Sequence, residues 1–236
     1  MRRSIRKLAR NYGYDIIKFK KNQMGLYPFY DMAKFVKTKQ PILFDIGANV
    51  GQTIKDFKEV FESSTIHAFE PSPDTFQILK NATSNFKNVY YWNVGVASQP
   101  GELMLNEYQL SNTNSFLESK TDNNAQLKKK TPVKIITIDQ FCETHTIDKI
   151  DVLKIDTEGF ELEVFKGTHN CFAAQKIGLL FFETTFNNHH DKAPRFTELC
   201  DFAIAQGFEL VAFYPIVYRN NMAAYTNVLF KHMSYI

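Results

Sequence analysis

Residues 41–60 read PILFDIGANVGQTIKDFKEV. The apolar run from Ile42 to Ile46 carries Asp45 at its end, Gly47 to Gly51 makes a tight connection, and Thr53 to Val60 has the three-and-four spacing of a helix. A strand, a glycine turn and a helix in that order open an α/β sheet, and the glycines let the backbone turn sharply and approach a ligand.

The alternation continues outward from this unit. Thr65 to Phe69 reads as a second strand ending at Glu70, and Pro71-Ser72-Pro73-Asp74 as a helix entry, because serine caps free amides and proline fits a first turn. Val89 to Val96 is a third strand and Gly101 to Tyr108 a further extended piece. Residues 111–130 are polar and aperiodic, which predicts a surface loop or insertion. Val133 to Ile138 is extended, Asp139 to Thr144 a short helix, and Ile150 to Ile155 a buried strand stopping at Asp156. Thr157 to Lys166 reads as an amphipathic helix capped by Gly167, Ile177 to Phe182 as a strand stopping at Glu183, and Phe196 to Gln206 as a helix closed by Gly207. Glu209 to Tyr214 and Tyr225 to Phe230 form the simplest antiparallel pair. Strands alternating with helices predict a mainly parallel sheet covered on both faces.

Before this domain (41–236) lies an extension, residues 1–40, in which Ile5, Leu8, Tyr12 and Ile16 recur at helical spacing among Arg2, Arg3, Arg6, Lys7, Arg10, Lys18, Lys20 and Lys21. The 236 residues are 44% hydrophobic and 22% charged, an ordinary globular composition, and a net charge of +3 is too small to announce a nucleic-acid protein. No nucleic-acid partner is expected. No apolar run reaches the roughly 20 residues needed to span a bilayer, nor does a signal-peptide core follow the basic start, so the expected location is cytoplasmic. Peripheral contact with the inner membrane face through the basic N-terminus, and a homodimer, stay open. Cys142, Cys171 and Cys200 are too far apart for a zinc or redox motif and read as buried and structural.

Ligands of an open α/β sheet bind outside the carboxyl ends of its strands, which selects Asp45 with its glycine loop, Glu70, Asn93, Asp156 and Glu183. An acid after the second strand can accept hydrogen bonds from ribose hydroxyls. The glycine spacing is G-x-x-x-G with an aspartate before it, not the G-x-G-x-x-G that seats a pyrophosphate on a helix N-terminus. An adenosyl ligand bearing an ammonium and a sulfonium in place of phosphate answers this pattern, namely S-adenosylmethionine.

The stretches FDIGANVGQT (44–53), HAFEPSP (67–73), NVGVAS (93–98), ITIDQF (136–141) and DVLKIDTEGFELEVFKG (151–167) together resemble the FkbM family of S-adenosylmethionine-dependent methyltransferases. The run LKID-x-EG-x-E is the most specific of them. The resemblance implies a Rossmann-like class I methyltransferase sheet of seven strands with the last antiparallel. It also implies that Asp45, Gly47, Asn49 and Gly51 line the methionine part, Glu70 holds the ribose, Phe69 and Pro71 flank the adenine edge, and Asn93 to Val96 lie near the base, with Asp156 at the same site.

An alcohol acceptor needs a base or a metal to free its oxygen. The catalytic candidates are Asp156, Glu183, His189 and Lys154. Lys154 stands in an apolar strand and needs a partner, for which Asp156, Glu158 and Glu183 are available. Glu158 sits at an expected helix start, where the dipole favours a carboxylate in any case. His189, beside His190 in the loop after Glu183, could take a hydroxyl proton near neutral pH. Asp156, Glu183 and a histidine match no specific metal motif, and no metal is assigned. The expected function, taken from the resemblance, is O-methylation of a sugar hydroxyl on a glycan, nucleotide-sugar or surface-polysaccharide precursor. The alternatives are a non-sugar small molecule or RNA as acceptor, or a non-catalytic binder of acidic ligands using the basic N-terminus and Lys128-Lys129-Lys130. A nicotinamide reductase is disfavoured, because the Tyr-x-x-x-Lys pairs Tyr14/Lys18 and Tyr30/Lys34 precede the glycine loop.

Overall fold

A computed structural model describes residues 2–14, 16, 23–118, 126–186 and 192–235. In chain order the elements are α1 (Arg2–Asn11), α2 (Pro28–Met32), β1 (Ile42–Ile46), α3 (Gln52–Val60), β2 (Thr65–Phe69), α4 (Pro73–Thr83), β3 (Val89–Trp92), β4 (Gly95–Val96), β5 (Gly101–Tyr108) and β6 (Leu127–Ile136). There follow α5 (Ile138–Thr144), β7 (Ile150–Ile155), α6 (Glu161–Lys166), α7 (His169–Ala173), β8 (Ile177–Thr185), α8 (Phe196–Ala205), β9 (Phe208–Phe213), β10 (Val217–Arg219) and β11 (Met222–His232).

The large sheet runs β3-β2-β1-β7-β8-β11, and both β9 and β10 pair with the outer edge of β11. Strands β1, β2, β3, β7 and β8 are parallel, while β11 runs antiparallel to β8. This is the expected mainly parallel sheet with its antiparallel last strand, extended by β10 as an eighth. All six residues of β7 are buried, as a parallel strand covered on both faces requires. One apolar layer holds Phe44, Ile46, Leu153, Ile155 and Phe182, and the opposite one Leu43, Ile54, Phe57, Val152 and Leu179.

Met32 and Val36 belong to the second layer, so the later part of the N-terminal extension is built into the domain. Buried Asp31 secures it by accepting hydrogen bonds from the Gly25 amide (2.8 Å) and the Tyr214 hydroxyl (3.2 Å). Helix α1 keeps Ile5 and Leu8 exposed. Among the described residues no helix is long and apolar enough to cross a membrane.

Three local expectations need correction. The stretch 89–96 is not one strand. Asn93 donates its side-chain amide to the carbonyls of Glu70 (2.8 Å) and Pro71 (3.0 Å), and the chain leaves the large sheet there to form β4 in a second sheet, β4-β6-β5. Strand β6 begins at Leu127, inside the stretch expected as a loop, because pairing with β5 places Lys129 opposite buried Glu107 and outweighs the local polarity. The helix expected from Thr157 begins only at Glu161. Glu158 (φ 53°) and Gly159 (φ 97°) make a left-handed turn, and the Glu161 carboxylate accepts from the amides of Thr157 and Gly159.

Candidate active site

The glycine turn after β1 is stitched to both neighbouring strands. The amides of Gly47 and Ala48 donate to the Phe69 carbonyl, and the Asp156 amide donates to that of Ile46. Gly47 adopts a φ of 77°, and a Cβ there would overlap the Asp156 carbonyl oxygen, so the position admits no side chain.

Beneath this turn Lys154 is buried in β7. Its ammonium lies 2.9 Å from Asp45 Oδ1 and 3.5 Å from Asp156 Oδ2, and donates to the Gly47 carbonyl at 3.0 Å. Burial alone would lower the Lys154 pKa, but Asp45 and Asp156 hold it above the usual lysine value. Asp45 is fully buried; desolvation raises its pKa, opposed by Lys154. Both side chains brace the turn from below.

Glu70 ends β2 and is buried. Its two carboxylate oxygens accept the amides of Ser72 (2.9 Å) and Asn49 (2.9 Å). Burial pushes its pKa up to about 7 against these hydrogen bonds. Ser72 in turn caps α4 by accepting from the Thr75 amide.

These residues border an open cleft. Gly47, Asn49, Phe69, Glu70, Pro71 and Asp156 line it, with Val94, Gly95 and Val96 alongside. Asp45, Gly51, Asn93, Lys154 and Glu183 are not among the lining residues. The opposite wall comes from the segment after β5: Ser111, Asn112, Asn114, Ser115 and Phe116. Ser111 donates to Asn49 Oδ1 (3.0 Å) and Ser115 to the Glu158 carbonyl (2.8 Å). Composition marked this segment only as polar. Its place in the cleft depends on the β5–β6 pairing, which no local pattern announced.

Asp156 and Glu158, which line the cleft, and Glu183, which does not, bring carboxylate oxygens within 4.8 Å of one another. Burial pushes the Glu158 pKa up to about 8, with Asp156 and Glu161 adding to the rise and Arg219 and Lys154 opposing it. Burial also pushes Glu183 up to about 9, reinforced by Asp156 and Glu158. Such a group suits proton acceptance near neutral pH, and its oxygens are also the donor type a hard divalent cation takes. Among the described residues no histidine or cysteine joins the three carboxylates. His189, Lys18, Lys20 and Lys21 lie outside the described residues.

The methyltransferase FkbM domain matches residues 45–210, from the turn aspartate through β9's first residues. The chain belongs to the FkbM methyltransferase family. The hexuronic acid methyltransferase AglP of Haloferax volcanii is 31% identical over 149 residues, 60% of this chain and 55% of that protein. Methyltransferase 1 of Beauveria bassiana is 28% identical over 155 residues, 58% of this chain and 61% of its own length. A crystal structure of an FkbM methyltransferase from Methylobacillus flagellatus shares the fold at a TM-score of 0.54 and 15% identity, covering 84% of this chain and 45% of that one. The chain thus spans little more than half the length of the curated relatives it matches. In this FkbM domain the cleft, the glycine turn and the carboxylate group all fall inside the matched residues.

Proposed function

We propose that this FkbM domain is an S-adenosylmethionine-dependent O-methyltransferase whose acceptor is a sugar hydroxyl of a glycan or nucleotide-sugar precursor. The observation that carries the donor assignment is a cleft with a buried acid at the ribose position and no lysine or arginine among its described lining residues. A phosphate-bearing dinucleotide would meet Glu70 and Asp156 with no cation among the described residues at the cleft surface, whereas an adenosyl sulfonium suits acidic walls. In this reading Glu70 accepts the ribose hydroxyls, Phe69, Pro71 and Val96 form the apolar slot for the base, and Asn49 and the Gly47 turn border the amino-acid part. Gly51 permits the tight turn, Asn93 fixes the backbone around Glu70, and Lys154 and Asp45 hold the floor. Bound donor supplies a methyl group already activated on sulfur.

What remains for the chain's own residues is to position the acceptor and take its proton. Glu183 and Glu158, with pKa values pushed up to about 9 and about 8, are matched to receive a hydroxyl proton, while Asp156 is held beside Lys154. The sugar assignment draws on the similarity to AglP, named as a hexuronic acid methyltransferase.

Calorimetric titration with S-adenosylmethionine, its demethylated product S-adenosylhomocysteine, and NADPH tests the donor assignment. Saturable binding of the first two alone, weakened in Glu70→Ala, is expected. Binding of NADPH in their place overturns it.

A further inference from the structure

Beyond the cleft, β8 and β11 carry a second polar row. Their antiparallel register sets Asn227 opposite Glu183 and Tyr225 opposite Thr185. Directly paired residues, and residues two apart on one strand, share a face of the sheet. Glu183, Thr185, Tyr225 and Asn227 therefore lie on one face and are all half-buried, while Thr184, Ala224 and Thr226 between them are buried on the other.

Beside this row, at the edge of the same sheet, lies the β10–β11 hairpin. Asn220 and Asn221 have φ of 51° and 62°, the left-handed pair of a tight two-residue hairpin turn. The turn places Arg219 opposite Met222 and sets its guanidinium carbon 5.4 Å from the centre of the Tyr225 ring. Arg219 is exposed and forms no ion pair with any described residue. Its positive field is nevertheless felt at Glu158, whose carboxyl it pulls down against burial. Lys154, the other cation acting on the carboxylate group, is engaged with Asp45 beneath the turn.

We propose that Arg219, seated on Tyr225, binds the carboxylate of an acidic sugar acceptor, and that this contact sets which hydroxyl meets Glu183. The proposal rests on the acceptor end of the reading above. A guanidinium held over a ring by a cation–π contact keeps N–H groups for a carboxylate, and the contact lowers the entropy lost on binding. Charge fixes the orientation. A uronate carboxylate gains a charge-assisted pair at Arg219 that the carboxyl groups of Asp156, Glu158 and Glu183 cannot offer, so its anionic end turns to Arg219 and a neutral hydroxyl faces Glu183. Arg219 is thus a specificity-determining residue, and a neutral sugar lacks the feature it selects.

The test uses the full chain saturated with S-adenosylhomocysteine and measures binding of glucuronate, galacturonate, glucose and glucose 6-phosphate. The expected result is that a uronate binds at least tenfold more tightly than glucose, with the preference abolished in Arg219→Gln, partly restored in Arg219→Lys, and S-adenosylhomocysteine affinity unchanged throughout. Equal binding of uronate and glucose, an unaltered preference in Arg219→Gln, or tighter binding of the phosphorylated sugar each overturns the proposal. If no sugar binds while S-adenosylhomocysteine does, the acceptor assignment falls and the donor assignment stands. If S-adenosylhomocysteine itself fails to bind, both fall.

Discussion

Replacing Lys154 by Met removes the cation that neutralises Asp45 and leaves that carboxylate fully buried. Lys154 is its ion-pair partner at 2.9 Å, and neither oxygen has another hydrogen-bond donor. Breaking a buried pair from one side costs about 3–5 kcal/mol. For a domain of this size each kcal/mol moves the melting temperature by about 2–4 °C, so a fall of roughly 6–20 °C is expected. The double variant Lys154→Met/Asp45→Leu removes the stranded charge together with its partner and should regain most of the loss, since an apolar replacement of a buried pair is often neutral. Urea denaturation of the parent, both single variants and the double variant measures the coupling. The pH dependence has a definite sign. With Lys154 gone, the folded pKa of Asp45 lies further above its unfolded value. The stability retained at pH below the ordinary aspartate pKa is then lost as pH rises through the folded pKa. The Lys154→Met deficit should therefore be smaller at pH 4 than at pH 8. A deficit below about 1 kcal/mol at pH 8, or a double variant no more stable than the single one, would refute the idea that Lys154 exists to hold Asp45.

Donor affinity should rise between pH 6 and pH 8, because burial pushes Glu70 up to about 7 and only its ionised form offers both oxygens as acceptors for the two hydroxyl hydrogen bonds, and calorimetry across that range reads the change. Glu70→Gln should weaken the donor by about 1–3 kcal/mol and flatten that profile. Glu183→Gln should lower turnover by about a hundredfold or more with donor affinity retained, and the parent rate should climb between pH 7 and pH 9 as Glu158 and Glu183 ionise; a rate that is flat there dismisses both as bases. Gly47→Ala should destabilise the fold and abolish donor binding, since its Cβ overlaps the Asp156 carbonyl oxygen, and a melt combined with a titration separates the two losses.

Strands β1, β2, β7 and β8 were legible because each is a compact apolar run ending on one polar residue, and that residue marks the sheet edge where the site lies. Asp156, Glu70 and the glycine turn followed from the same rule. Glu158 was harder to place. Its convergence with Glu183 depends on the left-handed turn at Glu158-Gly159, whereas helical periodicity from Thr157 suggested a continuous helix. The glycine itself was the available signal. Strand β6 was hidden by Lys128, Lys129 and Lys130, of which Lys129 and Lys130 pair with Glu107 and Asn106. Arg219 lies on a short edge strand with little apolar pattern, although Asn220-Asn221 is the kind of dipeptide that closes a two-residue hairpin.

The cleft has walls of separate origin. Its floor belongs to the large parallel sheet, whereas Ser111 to Phe116 hang from the three-stranded sheet, and Asn93 with Val94 forms the short backbone joint between β3 and β4. A molecule lodged there touches both plates at once and works as a clasp across the joint between them.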